Sequence, residues 1–178
     1  TVERQTRWQH NNNIWKDKRK FLLTASNFGK AAKTKVEPSN KLKSMLYSDF
    51  VTEAILYGRE NEKNAVKMYL NNASLEGKKF EAQEPGLIIS YKKPFLGASL
   101  DRVITDTTTG QKWGLEVKCP ISKSGMTIEQ AVKYKNFFVK QVEESKFQLK
   151  RTHDYFFQVH GQLFVSGLPF ADFVVYFG

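Results

Sequence analysis

Three residues able to do chemistry sit close together in "GASLDRVITDTTTGQKWGLEVKCP", Gly97 to Pro120: Asp101, Glu116 and Lys118. The stretch reads as a β-hairpin, two strand-like runs joined by the turn-rich "DTTTGQ". Strand side chains alternate, so Glu116 and Lys118 share one face while Leu115, Val117 and Cys119 take the other. Pairing across the turn can place Asp101 beside Glu116. Two carboxylates brought together repel unless a cation lies between them. Ligands that are all oxygen select a hard ion, Mg²⁺ or Mn²⁺. A lysine beside that ion can orient or deprotonate water and stabilise charge on a phosphate. An exposed hairpin with an ordinary Glu–Lys pair has the same pattern, so the hairpin alone decides nothing.

A helix offers the third acid. From about Asp49 to Asn71 the chain reads as one long helix, ending near "NNAS". Gly58, Glu62, Ala65 and Tyr69 fall on one face of it, and Val51 and Ala54 extend the stripe toward its start. The stripe is apolar and rich in small residues, as a helix lying close on a sheet requires. Glu62 sits in its middle, and a buried carboxylate is costly unless neutralised, paired or metal-bound. A neighbouring arginine or backbone group would satisfy it. Delivery to the Asp101/Glu116 patch explains the placement better.

A later helix, "DYFFQVHGQLFVSG", spaces Tyr155, Gln158 and Gln162 along one face, opposite Phe156, Val159 and Leu163. Phenol and amide groups beside a metal could hold a water or a phosphate oxygen, and a solvated polar face has the same spacing. His153 and His160 lack partners at metal-ligand spacing and read as structural. Trp8, Trp15 and Trp113 read as packing residues rather than base-stacking platforms.

The elements that must position these residues follow from the rest of the chain. Thr24 or Ser26 can cap a short helix, and loop signals follow at "VEPSN". Strands are expected at "GLIISY", "FLGASLDRVIT", "KWGLEVKC" and "ADFVVYF", with a further helix at "TIEQAVKYKNF" and then a lysine-rich link. The order α–β–β–β–α–α–β suits a mixed sheet flanked by helices.

Bulk properties narrow the partners. The 178 residues suit a single domain spanning 1–178, and the absence of an initiator Met suggests a processed chain or a piece of a longer protein. No 18-residue apolar run or signal-peptide pattern occurs, which points to a soluble protein without membrane contact. The lone Cys119 excludes a disulfide framework, a cysteine zinc site and a four-cysteine iron–sulfur cluster, and suits an intracellular compartment. Against 18 acidic residues stand 28 basic ones, a net charge of +10. That excess favours a polyanion, nucleic acid before an acidic membrane surface, although it also serves solubility alone. The basic residues recur in "KDKRK", at Lys30, Lys33 and Lys35, and in "YKKP" and "SKFQLKR", more like a lined surface than a tail.

Together the pieces "RKFLLTASNFGK", "YGRENEKNAVKMY", "GASLDRV", "LEVKCP" and "YFFQVHGQLFVSG…ADFVVY" resemble the phage lambda exonuclease / YqaJ-type viral recombinase family. That family lies within the PD-(D/E)xK nuclease superfamily, and the similarity runs in order from Arg19 to Phe177. The resemblance implies an α/β, restriction-endonuclease-like core and a Mg²⁺-dependent deoxyribonuclease, often a processive 5′→3′ exonuclease on duplex DNA ends in recombination or repair. It also implies a ring-shaped trimer, as in the phage enzyme. By position it makes Glu62, Asp101 and Glu116 metal ligands with the Val117 carbonyl, and Lys118 the catalytic lysine, supported by Gln158 and Tyr155. Arg19 matches the arginine that holds a terminal 5′-phosphate, with Thr24 and Ser26 beside it at a helix start that favours an anion. The sequence departs from the family at "SLDRV", where Leu100 and Arg102 stand in place of the usual Pro and Gly. A structure-specific endonuclease and a DNA-binding module with an idle site are the rival functions. The site of action is the nucleus if the source is eukaryotic and the cytoplasm if it is bacterial or phage.

Overall fold

The computed structural model describes residues 1–35 and 52–178. In chain order, the short helices Val2–Gln5 (α1) and Asn13–Arg19 (α2) precede the strand Leu23–Thr24 (β1) and the helix Phe28–Ala32 (α3). The long helix Glu53–Leu75 (α4) leads to strands Phe80–Gln83 (β2), Ile88–Ile89 (β3), Leu96–Ala98 (β4), Arg102–Asp106 (β5) and Lys112–Lys118 (β6). Helix Ile128–Ala131 (α5) and the hairpin Val139–Glu143 (β7) and Lys146–Leu149 (β8) come next. Helix Asp154–Ser166 (α6) and strand Ala171–Val175 (β9) follow.

The expected mixed sheet is present, in the order β2-β5-β6-β9. β2, β5 and β6 are antiparallel, whereas β9 runs parallel to β6, its Phe173 opposite Glu116. A parallel step needs a long crossover, and the segment carrying α5, the β7–β8 hairpin and α6 supplies it. A smaller mixed sheet, β1-β4-β3, stands apart.

The long helix α4 lays Ala65 and Val66 on Ile104, Trp113, Leu115 and Val117, so the expected stripe sets it close on the sheet at Ala65, whereas Ala54 is exposed and a Cβ at Gly58 would meet nothing within 4 Å. Helix α6 packs instead toward β4 and α3, through Val165 against Ala25 and Ala98. Gly161 makes that approach possible, because a Cβ there would lie 2.5 Å from Cδ2 of Phe28. Gly161→Val is therefore expected to cost about 1–3 kcal/mol through overpacking, read as a lower midpoint in urea unfolding.

Several elements depart from the sequence reading, each for a local reason. "FLGASLDRVIT" is two strands in two sheets, β4 and β5, rather than one. The chain peels away between them because side chains take the carbonyls a ladder would use. Gln162 Nε2 donates to the Ser99 carbonyl at 3.0 Å and Gln9 Nε2 to that of Leu100 at 2.7 Å. The expected helix at "TIEQAVKYKNF" lasts one turn, opened by a capping box of Thr127 and Gln130. Beyond it Lys133–Asn136 is exposed, while Phe137, Phe138 and Val139 are buried in succession as the chain extends into β7. The lysine-rich link contains the β7–β8 hairpin, closed at Ser145 with a φ of 60°.

Helix α4 runs past Asn71 to Leu75 because Ala73 is buried, and it ends at Gly77, whose φ of 74° takes the left-handed turn. Its start is capped by Thr52, which accepts from the Ile55 N–H. "VEPSN", Val51 and the beginning expected at Asp49 lie outside the described residues. Thr24 stands at the start of a 3₁₀ turn, Ala25–Asn27, without a side-chain capping bond; its Oγ1 pairs with Ser26 Oγ at 3.1 Å. Trp113 is a core residue and Trp15 half-buried, but Trp8 is 72% exposed and does not pack. His153 caps α6 by accepting the Tyr155 N–H, and His160 bonds the Phe156 carbonyl, both structural as expected. Among the described residues no helix is long and apolar enough to cross a membrane.

Candidate active site

The β5–β6 ladder ends at the pair Arg102–Leu115. Asp101, the next residue back, has left the strand, and its Oδ2 accepts the Val117 N–H at 2.7 Å. A carboxylate thus stands where a neighbouring strand would continue. Within a strand the N–H and C=O of one residue point to the same edge, so the Val117 carbonyl opens on the same gap. The following carbonyl, Lys118, faces the other edge and accepts from the Tyr176 N–H at 2.9 Å. The gap is a cavity of about 230 Å³ lined by Glu62, Asp101, Val117, Lys118 and Tyr155 among others.

Glu116 lies behind this cavity and is not on its lining. It is 1% exposed and turned toward α6, which saturates it. Its Oε1 accepts from Lys118 Nζ and from Gln158 Nε2, both at 2.5 Å, and its Oε2 accepts from Gln162 Nε2 at 2.6 Å. The Lys118 ammonium also sits 4.6 Å from the centre of the Tyr155 ring, a cation–π contact.

Glu62 arrives from α4, on the opposite face of β6 from Glu116. The three acids therefore do not share one face: Asp101 stands at the sheet edge and the other two approach from either side of it. Glu62 is engaged by Arg102, whose Nη1 donates to Oε1 at 2.7 Å and also contacts the Asp101 carbonyl.

The electrostatics follow from this crowding. Burial, and then the charge of Glu116, hold the Asp101 carboxyl well above its ordinary value, with Lys118 opposing. Burial also raises Glu62, against the charge and hydrogen bond of Arg102. Desolvation alone would lower Lys118, but Glu116 and Asp101 outweigh it and keep the amine above its usual value. Burial, then Glu62 and Asp101, push the Cys119 thiol up to about 11, so the lone cysteine stays protonated at neutral pH.

The donor chemistry of the cavity fits a hard divalent cation: Glu62, Asp101 and the Val117 carbonyl are all oxygen donors, and a cation relieves the strain on Asp101. Among the described residues, however, no three acidic, histidine or cysteine side chains stand close enough to hold an ion as they lie. Arg102, which stands where the resembled family usually has Gly, holds Glu62 through Oε1. Glu116 accepts from two donors on Oε1 and one on Oε2.

Arg19, Thr24 and Ser26 lie outside the cavity. The Arg19 guanidinium stacks 4.2 Å from the centre of the Trp15 ring, and burial pushes it down to about 10, with no carboxylate among the described residues acting on it. It is coupled to the cavity by contact. The Trp15 indole N–H donates to Ser99 Oγ at 2.9 Å, and the Ser99 carbonyl accepts from the same Gln162 nitrogen that holds Glu116. Gln162 belongs to the polar face of α6 marked in the sequence, and here it holds Glu116; Ser99 carries no signal of its own in the sequence. The spacing of Gln162, one turn after Gln158, was the available signal.

A profile of the viral alkaline exonuclease family matches residues 1–141, a span that includes Glu62, Asp101, Glu116 and Lys118. No curated protein sequence matches the chain. Among solved structures, the alkaline exonuclease LHK-Exo of Laribacter hongkongensis superposes with a TM-score of 0.63 at 22% identity, over 93% of this chain and 74% of that one. The same enzyme in complex with dAMP superposes with a TM-score of 0.62 at 20% identity, over 90% of this chain and 71% of that one. This likeness is one of fold, the PD-(D/E)xK architecture that the residues resembled. With four fifths of the chain matched, the protein belongs to the viral alkaline exonuclease family.

Proposed function

We propose that this protein is a Mg²⁺-dependent deoxyribonuclease that degrades duplex DNA from its ends in the 5′→3′ direction, in recombination or repair. The observation that carries the reading is Lys118: a half-buried ammonium held between Glu116 and Tyr155, on the rim of a cavity that also presents Asp101 and Glu62. Such an amine is spent if it only neutralises a carboxylate. Placed at a cleft it can act on a phosphate.

Each residue has a distinct task in this reading. Glu62, Asp101 and the Val117 carbonyl would hold Mg²⁺ or Mn²⁺, which supplies Lewis acidity and an activated water when bound. Lys118, kept charged by its acidic neighbours, offsets charge on the scissile phosphate rather than taking a proton from water. Glu116 fixes that ammonium, and Gln158 and Gln162 fix Glu116 in turn. The surface lysines and arginines hold the DNA backbone without reading sequence, so retention weakens steeply with salt.

The test is digestion of linear 5′-phosphorylated duplex DNA and of closed circular DNA, with Mg²⁺ or with EDTA. Loss of the linear substrate in Mg²⁺ alone, with the circle intact, is the expected result. Nicking of the circle would favour the endonuclease, and retention of DNA without products would favour the idle module. Arg19, a half-buried guanidinium stacked on Trp15 with no acid among the described residues acting on it, suits the terminal phosphate of the DNA end. Arg19→Ala is expected to cost roughly tenfold or more on 5′-phosphorylated ends and little on 5′-hydroxyl ends, read as initial rates on the two substrates.

A further inference from the structure

One corner of the molecule leaves three aromatic rings in water: Phe21 is 83% exposed, Tyr91 99% and Phe95 58%. Short backbone contacts bring them together. Between β3 and β4 the chain turns tightly, with the Leu96 N–H on the Lys93 carbonyl at 2.8 Å, so that Tyr91–Phe95 forms a projecting tip. Strand β1 runs parallel to β4, and the Leu23 N–H donates to the Phe95 carbonyl at 2.9 Å, which brings Phe21 beside the same tip. Lys92 and Lys93 are exposed on the tip and Lys18 on α2. Arg19 is bound into the same corner, its carbonyl accepting the Leu22 N–H at 3.1 Å. Asp17, the acid beside Lys18, is paired with Lys20 at 3.0 Å, and no other acidic residue occurs in 17–35 or in 88–100.

Exposed rings are unfavourable in water unless something covers them. Rings interleaved with lysines, with Asp17 already paired to Lys20, match one kind of cover better than an apolar protein face. Bases stack on the rings and the lysines meet the phosphates between them.

We propose that Phe21, Tyr91 and Phe95 form a stacking platform for unpaired nucleotides, with Lys18, Lys92 and Lys93 on their phosphates. Its assignment to DNA ends rests on the reading of Arg19 given above, since the platform adjoins that arginine. A strand freed at the end of a duplex would lie there while the other enters the cavity.

The test is fluorescence anisotropy of a labelled 5′-hydroxyl single-stranded oligonucleotide with the full chain in EDTA, where hydrolysis plays no part. The triple variant F21A/Y91A/F95A is expected to bind about tenfold more weakly or worse, with the salt dependence unchanged. K92Q/K93Q is expected to make the slope of log affinity against log salt shallower by about 1.4. Tyr91→Ala alone, at the most exposed position, gives the same direction of change should the triple variant fold poorly. Wild-type affinity in these aromatic variants overturns the platform. So does a change of oligomeric state in sedimentation with oligonucleotide affinity intact, which would make the corner an interface with protein. Neither result bears on Lys118, so the platform and the hydrolytic reading can fail separately.

Discussion

Lys118→Met is expected to reduce DNA hydrolysis by about a thousandfold or more while leaving DNA retention nearly unchanged. Methionine keeps most of the apolar stem of the lysine but not the ammonium that meets the Tyr155 ring. Glu116 keeps Gln158 on Oε1 and Gln162 on Oε2, and its orientation survives. What disappears is the ammonium, with its ion pair to Glu116 and its contact with the Tyr155 ring. Single-turnover rates on 5′-phosphorylated duplex DNA, set beside gel retention in EDTA, separate the two properties. A rate within a few-fold of the parent protein would remove Lys118 from the chemistry. Glu116→Ala is a poorer probe, because it strands three buried donors and its loss of activity would mix unfolding with catalysis.

Asp101→Asn is the second substitution with a large expected effect, and it acts in two directions. Hydrolysis should fall by about a hundredfold or more, since a neutral amide is a weak ligand for a hard cation. Stability without divalent ions should rise. The asparagine oxygen can still accept the Val117 N–H, but the buried charge is gone. The direction in pH follows from the raised carboxyl of Asp101. Above the unfolded value the unfolded chain has lost its proton while the folded chain still holds it. The parent protein therefore loses stability as pH rises through that window, up to the raised folded value. The variant lacks this loss. In EDTA its melting temperature should exceed the parent's at neutral pH and approach it in acid. Mg²⁺ should raise the parent's melting temperature and leave the variant's nearly unchanged. Equal melting curves at neutral pH in EDTA would mean that Asp101 bears no such burden.

How much of this was legible beforehand depended on whether a residue's role was set by its near neighbours in the chain. Strand alternation was enough to send Glu116 and Lys118 one way and Leu115 and Val117 the other, and it is the Leu115 and Val117 face that packs under α4. The small-residue stripe around Ala65 foretold the closeness of α4. Its placement of Glu62 could not be read, because which face of β6 the helix covers is settled by the whole sheet. Glu62 consequently reaches the cavity from the side opposite Glu116. The break at Ser99–Asp101 was hidden for a similar reason. It depends on Gln9 and Gln162, far away in sequence, taking two carbonyls out of the ladder. The exposure of Trp8 shows the limit of composition, since an aromatic residue carries no label for inside or outside. Arg102 was marked as a departure from the family at the sequence level, but its ion pair with Glu62 emerged only in three dimensions.

The pair formed by Glu62 and Arg102 also sharpens what the site must do to work. An ion entering the cavity competes with a guanidinium already in place, and Asp101 is the carboxylate with most to gain from its arrival. Binding of Mn²⁺ to the full chain, followed by the loss of the free-ion signal in electron paramagnetic resonance, tests this most directly. The expected result is one site in the parent protein, weakened about tenfold or more in Glu62→Gln and lost in Asp101→Asn. Equal binding by all three proteins, or none by the parent, would contradict a divalent ion shared between these two carboxylates.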